Sequence, residues 1–105
     1  MTTYLLNSPV LTGHGLWRFS PLDLDSARTL AAGGFVSAIG HESAARLLSE
    51  ILRQPVPVSR RQVSLKAGDR AIVFRLLKRL PEGMVLDLAA LKESEWELAL
   101  LERLE

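Results

Sequence analysis

His41 is the side chain in this sequence best placed to move a proton, because histidine titrates near neutral pH. It lies in the stretch FVSAIGHESAAR, where a glycine precedes it and an apolar helical pattern follows it. A helix N-terminus offers unpaired backbone N–H groups and the positive end of the helix dipole, which suits a phosphate or carboxylate. Gly40 would let such a ligand approach the backbone closely. The second histidine, His14, stands between two glycines and receives no role.

Two roles stay open for His41 on this evidence. An anionic ligand bound at the helix N-terminus would favour a protonated imidazole, which could then act as an acid. Alternatively, His41 caps the helix or packs against Phe35, and no chemistry is involved.

Arginines on the later predicted strands form a second candidate group. Arg75 and Arg79 share one face of a regular strand, and Arg60 lies on the segment that precedes it and could approach them. Guanidinium groups beside a helix N-terminus make a phosphate site. The alternative is that they are solvated charges at strand edges.

Three further polar residues stand where a cleft could form. Glu82 occupies the predicted Pro-Glu-Gly turn, three residues after Arg79, and could orient an imidazole or pair with an arginine. Asn7 and Ser8 end the first predicted strand and could offer hydrogen bonds to a ligand. Such residues also serve simply to build turns, and this reading stays open.

The composition of the chain limits its class. Its 105 residues, 48% hydrophobic and 24% charged, predict one soluble globular domain over residues 1–105. A net charge of +1 argues against a duplex DNA partner, because no polycationic surface is available. The absence of cysteine and the two histidines argue against a metal site, and no apolar run suits a membrane span. We expect a cytoplasmic protein that binds any sizeable ligand between subunits.

The periodicity of apolar residues predicts a mixed α/β fold. Strands are predicted at 4–6, 16–19, 35–39 and 70–79, with residues 58–65 extended and Lys66–Asp69 as a hairpin connection. One helix begins with Ser20 as N-cap and Pro21 as first residue and stops at Gly33-Gly34. A second begins at His41 and ends before Pro55, and residues 86–91 suit a third. The prediction is a mixed sheet of five or six strands with two or three helices, and the tail EWELALLERLE fits strand and helix equally.

Three segments carry a resemblance to a known family. YLLNSPVLT, FVSAIGHESAARLLSEIL, and VFRLLKRLPEG with the LLERLE ending resemble the viral-type ring nucleases, a family of archaeal viruses that includes type III anti-CRISPR proteins and bacterial relatives. The similarity runs over essentially the whole chain. It favours a strand for the tail, against helix propensity.

The resemblance implies a homodimer that binds cyclic tetra-adenylate, the second messenger of type III CRISPR systems, across the subunit interface. A two-fold axis matches a ring of four like nucleotides. The implied reaction needs neither metal nor cofactor: a ribose 2′-hydroxyl attacks the adjacent phosphate and leaves a 2′,3′-cyclic phosphate and a free 5′-hydroxyl. The alternative function is a non-catalytic dimeric module that holds a cyclic nucleotide or another protein.

The residue matching the family's catalytic histidine is His41, which would protonate the departing 5′-oxygen, and the matching glutamate is Glu82. The ligand-side residues implied by the same resemblance are Asn7, Ser8, Gly40, Arg60 and Arg79.

Overall fold

A computed structural model describes residues 1–77 and 96–105 and places five strands and two helices within them. In chain order the elements are β1 (Thr3–Leu6), β2 (Trp17–Pro21), α1 (Leu24–Ala32), β3 (Val36–Ser37), α2 (Glu42–Leu52), β4 (Arg70–Leu76) and β5 (Trp96–Arg103). Three predicted features fall on other residues. The turn with Glu82 and the helix at 86–91 lie outside the described residues, and so do positions 78–79 of the predicted strand at 70–79.

The five strands form one mixed sheet in the order β2-β5-β4-β1-β3. Strand β1 pairs in parallel with β3 on one side and β4 on the other, whereas β5 is antiparallel to both β4 and β2. The predicted α/β class and the central position of β4 are confirmed. The predicted strand at 35–39 is shorter, because only Val36 and Ser37 pair with β1.

Alternation along β1 and β4 explains why the sheet carries a core on each face. Leu5, Ile72 and Phe74 face the core that the two helices cover, together with Leu98 of β5. Leu6, Ala71 and Val73 face a smaller core on the opposite side, which Leu65 helps to fill. Successive strand side chains point to opposite faces, so a strand buried on both sides is apolar throughout.

Helix α1 begins three residues later than the sequence predicts. Asp23 is the N-cap, and its carboxylate accepts the Ser26 N–H at 3.0 Å. Ser20 and Pro21, the predicted cap and first residue, are instead the last residues of β2, where Pro21 is paired with Ala99. Pairing with β5 overrides the local Ser-Pro signal. The predicted stop is confirmed, since Gly33 is the C-cap.

Helix α2 is the main cover of the larger core. Its N-cap is His41, as predicted, and its buried face consists of Ala44, Ala45, Leu47, Leu48, Ile51 and Leu52. Burying each of the larger side chains contributes about 1.5–3 kcal/mol. The helix ends at Arg53, which takes the left-handed conformation with φ 56° that glycine usually occupies at this position.

The predicted hairpin before β4 is wrong. Lys66–Asp69 does form a turn, with the Asp69 N–H donating to the Lys66 carbonyl at 2.9 Å. The segment at 58–65, however, joins no strand, and β4 pairs with β1 and β5 instead. Leu65 is fully buried against the smaller core, so this irregular segment covers the face opposite the helices.

The tail is a strand, despite a composition that favours helix. Strand β5 pairs with β4 from Trp96 to Glu102 and with β2 from Ala99 to Arg103. Leu98 and Leu101 are buried on opposite faces, and a strand between two neighbours gains more from this burial than an exposed helix would. Within residues 1–77 and 96–105, no helix is long and apolar enough to cross a membrane.

Asp69 ties the start of β1 to the turn before β4. Its carboxylate is buried and accepts the Lys66 N–H at 2.8 Å and the Thr2 N–H at 2.9 Å. The Lys66 N–H, helped by the Thr2 N–H and opposed by burial, holds the pKa of Asp69 below its ordinary value. The ionised carboxylate therefore stabilises the folded state.

We expect Asp69→Asn to lower the free energy of unfolding at pH 7 by about 1–3 kcal/mol, because one of two partly buried N–H groups loses a charged acceptor. The folded pKa is depressed, so this stabilisation is complete above the unfolded value of about 3.9 and is lost as pH falls through the folded pKa. Denaturant titrations from pH 7 to pH 3 should show the two proteins converging below about pH 4.

Asp25→Asn is the matched control, since Asp25 is exposed in the first turn of α1. A gap between wild type and Asp69→Asn that stays constant down to pH 3 would contradict this account.

Candidate functional site

The candidate site lies where the parallel strands end. Strands β1, β3 and β4 are parallel, so their carboxyl ends meet at one edge of the sheet, which is where open α/β sheets bind ligands. Asn7 follows β1 directly, and Gly40 and His41 follow β3 at the start of α2. The sheet topology therefore gathers sequence-predicted residues that are more than thirty positions apart in the chain.

His41 lies at this edge as the N-cap of α2. Its backbone is extended, with φ −122° and ψ 134°, and its carbonyl accepts the first helical hydrogen bond from the Ala45 N–H at 3.0 Å. Its side chain is exposed and makes no capping hydrogen bond. His41 therefore caps the helix through its backbone carbonyl, and its side chain adds no capping bond.

The N-terminus of α2 adds a fixed positive potential beside the imidazole. The N–H groups of the first helical turn have no partner within the helix, and they point past the N-cap. Glu42, in this turn, pairs with Arg46 at 3.1 Å, but both side chains are highly exposed. Such a pair is worth little energetically. The position of His41 is instead fixed by the buried face of α2, which packs the helix against the sheet.

Arg60 is bonded to Gly40, the residue that precedes His41. Its Nε donates to the Gly40 carbonyl at 3.0 Å, and the rest of the guanidinium lies at the exposed surface. A Cβ added to Gly40 would lie 3.2 Å from the Arg60 Cγ, which is tighter than ordinary contact. Glycine at position 40 therefore allows the arginine stem to lie against the backbone. The predicted placement of Arg60 on a hairpin strand is wrong, because its segment joins no strand.

A short strap, residues 57–60, holds Arg60 in this place. The Ser37 hydroxyl, which is buried, donates to the Pro57 carbonyl at 2.7 Å and accepts the Ile39 N–H at 3.3 Å. The Ser59 N–H then donates to the Ile39 carbonyl at 2.8 Å. The strap thus runs beside the chain that leads from β3 into His41, fixed by hydrogen bonds at successive positions.

Asn7 and Ser8 line a cleft of about 230 Å³ at the same edge. Both side chains are exposed, as the sequence predicts for residues that end β1. The other described residues around the cleft come from β1, from the loop after it, from the chain between β3 and α2, and from the segment after the strap: Leu6, Val10, Thr12, Ala38, Arg61, Gln62 and Val63. The cleft lies close along the chain to the Arg60–Gly40 contact. Ala38 stands two residues before Gly40, and Arg61 follows Arg60 directly.

The other predicted basic and acidic residues do not all meet this group. Arg75 forms an ion pair with Glu97 of β5 at 2.8 Å, and its guanidinium also lies 5.8 Å from the ring centre of Phe19. Arg79 and Glu82 lie outside the described residues, and their roles stay predictions. Among residues 1–77 and 96–105, no three His, Asp or Glu side chains come together as metal ligands.

Sequence reasoning missed the residues that shape the site rather than line its centre. Ser37 interrupts the apolar run FVSAI, and this serine is the one local sign in the sequence of a buried hydrogen bond. The sequence does not predict that Gln62 and Val63 line the cleft, because their position depends on how an irregular segment packs on the sheet.

We expect Ser37→Ala to destabilise the fold by about 1–3 kcal/mol, because the Pro57 carbonyl and the Ile39 N–H lose a buried partner. The strap should loosen, and the Ser59 amide should exchange its hydrogen faster than in the wild type. Denaturant titration and amide hydrogen exchange measure the two effects.

Ser64→Ala is the control, because this serine is exposed in the same segment and should change stability by less than about 0.5 kcal/mol. Equal effects of the two substitutions would remove Ser37 from its role in holding the strap.

Comparison with known proteins identifies relatives of the whole chain. It is 30% identical over 108 residues to the YddF protein of Bacillus subtilis, with both chains fully covered. It is 36% identical over 91 residues to the ORF116 protein of Acidianus filamentous virus 1, covering 82% of this chain and 78% of that one. A 52-residue stretch is 54% identical to the ORF117 protein of Acidianus two-tailed virus and spans 44% of that protein.

The fold also has a counterpart among solved structures. B116 of Sulfolobus turreted icosahedral virus superposes with a TM-score of 0.79 and 21% identity, over 98% of this chain and 100% of that one. These matches confirm the predicted membership in a family of small α/β proteins of archaeal viruses with bacterial relatives. The STIV B116-like family profile matches residues 3–98, and the chain belongs to the STIV B116-like family.

Proposed function

We propose that this protein is a metal-independent ring nuclease that opens cyclic tetra-adenylate to linear di-adenylates. The observation that carries the proposal is the exposed imidazole of His41 at the N-cap of α2, beside an arginine that is anchored to Gly40. The proposed proton donor and the proposed phosphate-binding group would thus lie on two backbone segments that are bonded to each other.

The phosphate of the ring would bind at the N-terminus of α2. Unpaired N–H groups and the helix dipole attract an anion there. Arg60 uses its Nε on the Gly40 carbonyl at 3.0 Å, and its exposed terminal nitrogens remain the donors for a phosphate oxygen. Because the arginine stem is already held, less conformational entropy is lost when the phosphate binds.

The proposed step is an internal transesterification. A ribose 2′-oxygen bonds to the neighbouring phosphorus, and the bond from phosphorus to the 5′-oxygen breaks. The 2′-hydroxyl gives one proton to solvent water, and a second proton reaches the 5′-oxygen. His41 donates the second proton, and no water is consumed. The nucleophile and leaving group belong to one ligand, so holding the phosphate in line supplies much of the rate.

The remaining roles follow from the family resemblance. Glu82 would orient or recharge the imidazole, and Arg79 would contact the phosphate. Asn7 and Ser8 would contact the ligand at the end of β1. A homodimer would present two such sites to one ring, in keeping with its two-fold symmetry, and two cuts would release two di-adenylates.

We expect the wild-type protein to convert cyclic tetra-adenylate into di-adenylate with a 2′,3′-cyclic phosphate in the presence of excess EDTA. Chromatography with mass detection identifies the product, and a hexa-adenylate ring tests the size preference. A ring that is bound but stays intact would replace the nuclease by a non-catalytic binding module. A ring that is neither bound nor cut would remove both functions.

We expect His41→Ala to lower the single-turnover cleavage rate by about 100-fold or more, because a positioned proton donor contributes a factor of this size. The affinity for the ring should stay within about three-fold, since the imidazole acts in the chemical step. His14→Ala, which removes an exposed loop histidine, is the control and should cleave normally. Loss of affinity as large as the loss of rate would assign His41 to binding instead.

A further inference from the structure

We propose that the cleft beside Asn7 takes one adenine base of the ring and that Gln62 reads its edge. This inference rests on the proposed function and adds a recognition site to it. The cleft is formed where the loop after β1 meets the segment that follows the strap, and Gln62 lies exposed on that segment.

The size of the cleft suits a base and excludes a whole nucleotide ring. Its volume is about 230 Å³. Sites for drug-sized ligands start at about 300 Å³, so this cleft takes a fragment of a larger ligand whose remainder lies outside. A planar heterocycle attached to a sugar-phosphate ring is a fragment of that kind.

The lining has the chemistry that a purine requires. Leu6, Val10, Ala38 and Val63 supply apolar surface for the faces of a ring. Asn7 and Gln62 supply carboxamides, the groups that pair with the N6 and N7 atoms of adenine through two hydrogen bonds. Arg61, whose Nε donates to the Ser59 hydroxyl at 2.8 Å, brings a positive charge to the same cleft.

The wall that carries Gln62 is fixed before any ligand binds. Leu65, three residues further on, is fully buried. Its N–H donates to the Thr12 hydroxyl at 2.9 Å, and its carbonyl accepts from an Arg103 guanidinium nitrogen at 2.6 Å. On the other side, the Ser59 N–H is bonded to the Ile39 carbonyl. The segment is thus held at both ends, which lowers the entropy lost when a base enters.

The cleft also lies within reach of the proposed cleavage site. Ala38 lines the cleft and stands three residues before His41, a span of at most about 10 Å along the chain. Arg61 of the cleft is the neighbour in sequence of Arg60, which is bonded to Gly40. A base seated in the cleft would therefore orient a phosphate that is close to the imidazole.

The test compares Gln62→Ala with wild type in single-turnover cleavage of cyclic tetra-adenylate. We expect the protein concentration at half-maximal rate to rise about ten-fold or more, the loss typical of a bidentate contact to adenine. The rate at saturation should stay within about three-fold, because Gln62 does not touch the reacting atoms. Ala38→Leu, which adds bulk at another position of the lining, should raise the half-saturating concentration as well.

A ring of four uridylates provides a readout that a merely structural role of Gln62 would not move. Used as a competitor of cleavage, it should bind wild type and Gln62→Ala with inhibition constants within about two-fold, because uracil lacks the N6–N7 edge. Gln54→Ala is the matched control: this glutamine follows the far end of α2, about 16 Å along the helix axis from His41.

The outcomes separate the two proposals. Normal cleavage by wild type, with half-saturation unchanged in Gln62→Ala, would overturn the base cleft and leave the nuclease standing. An equal loss in Gln54→Ala, or an equal weakening of the uridylate ring, would overturn it too. No cleavage by wild type would overturn the proposed function itself.

Discussion

The parallel pairing of β1 with β3 and β4 is the constraint on which the rest of the structure depends. Parallel strands cannot be joined by a tight turn, so the chain must cross over the sheet between them. Here it passes through β2 and α1 between β1 and β3, and through α2 and the irregular segment between β3 and β4. The same pairing directs three strand ends to one edge, which brings Asn7 and the Gly40–His41 pair together.

The site is built largely from backbone contacts, and this explains its rigidity. The carbonyl of Gly40 anchors Arg60, and the carbonyl of Ile39 anchors the strap. The hydroxyl of Ser37 is bonded both to the strap and to the segment that follows β3. Backbone groups move only with the elements that carry them, and those elements are fixed by buried apolar surface. The backbone positions of His41 and Arg60 are therefore fixed relative to each other.

Much of the fold could be predicted from the sequence, because several elements carry strong local signals. Three such signals predicted their elements correctly: the helical period after His41 predicted α2, the Gly33-Gly34 pair predicted the end of α1, and the apolar run predicted β4. The start of α1 was mispredicted because pairing of Pro21 with β5 outweighs a Ser-Pro signal. The segment at 58–65 was mispredicted because its residues fill a core without joining the ladder. The sequence also offered His41, Gly40, Arg60 and Asn7 as candidates, but the contact that joins Arg60 to Gly40 depends on tertiary structure alone.

The segment from Ser59 to Leu65 has a consequence for how the protein can diversify. Its ends are anchored, one to the chain beside β3 and the other to Thr12 and Arg103, while the positions between them are mostly open to solvent. Changes at the exposed positions leave both cores intact, so selection or a designer could exchange them with little risk to folding. A protein with such a span can acquire a different surface chemistry there by altering a few consecutive codons.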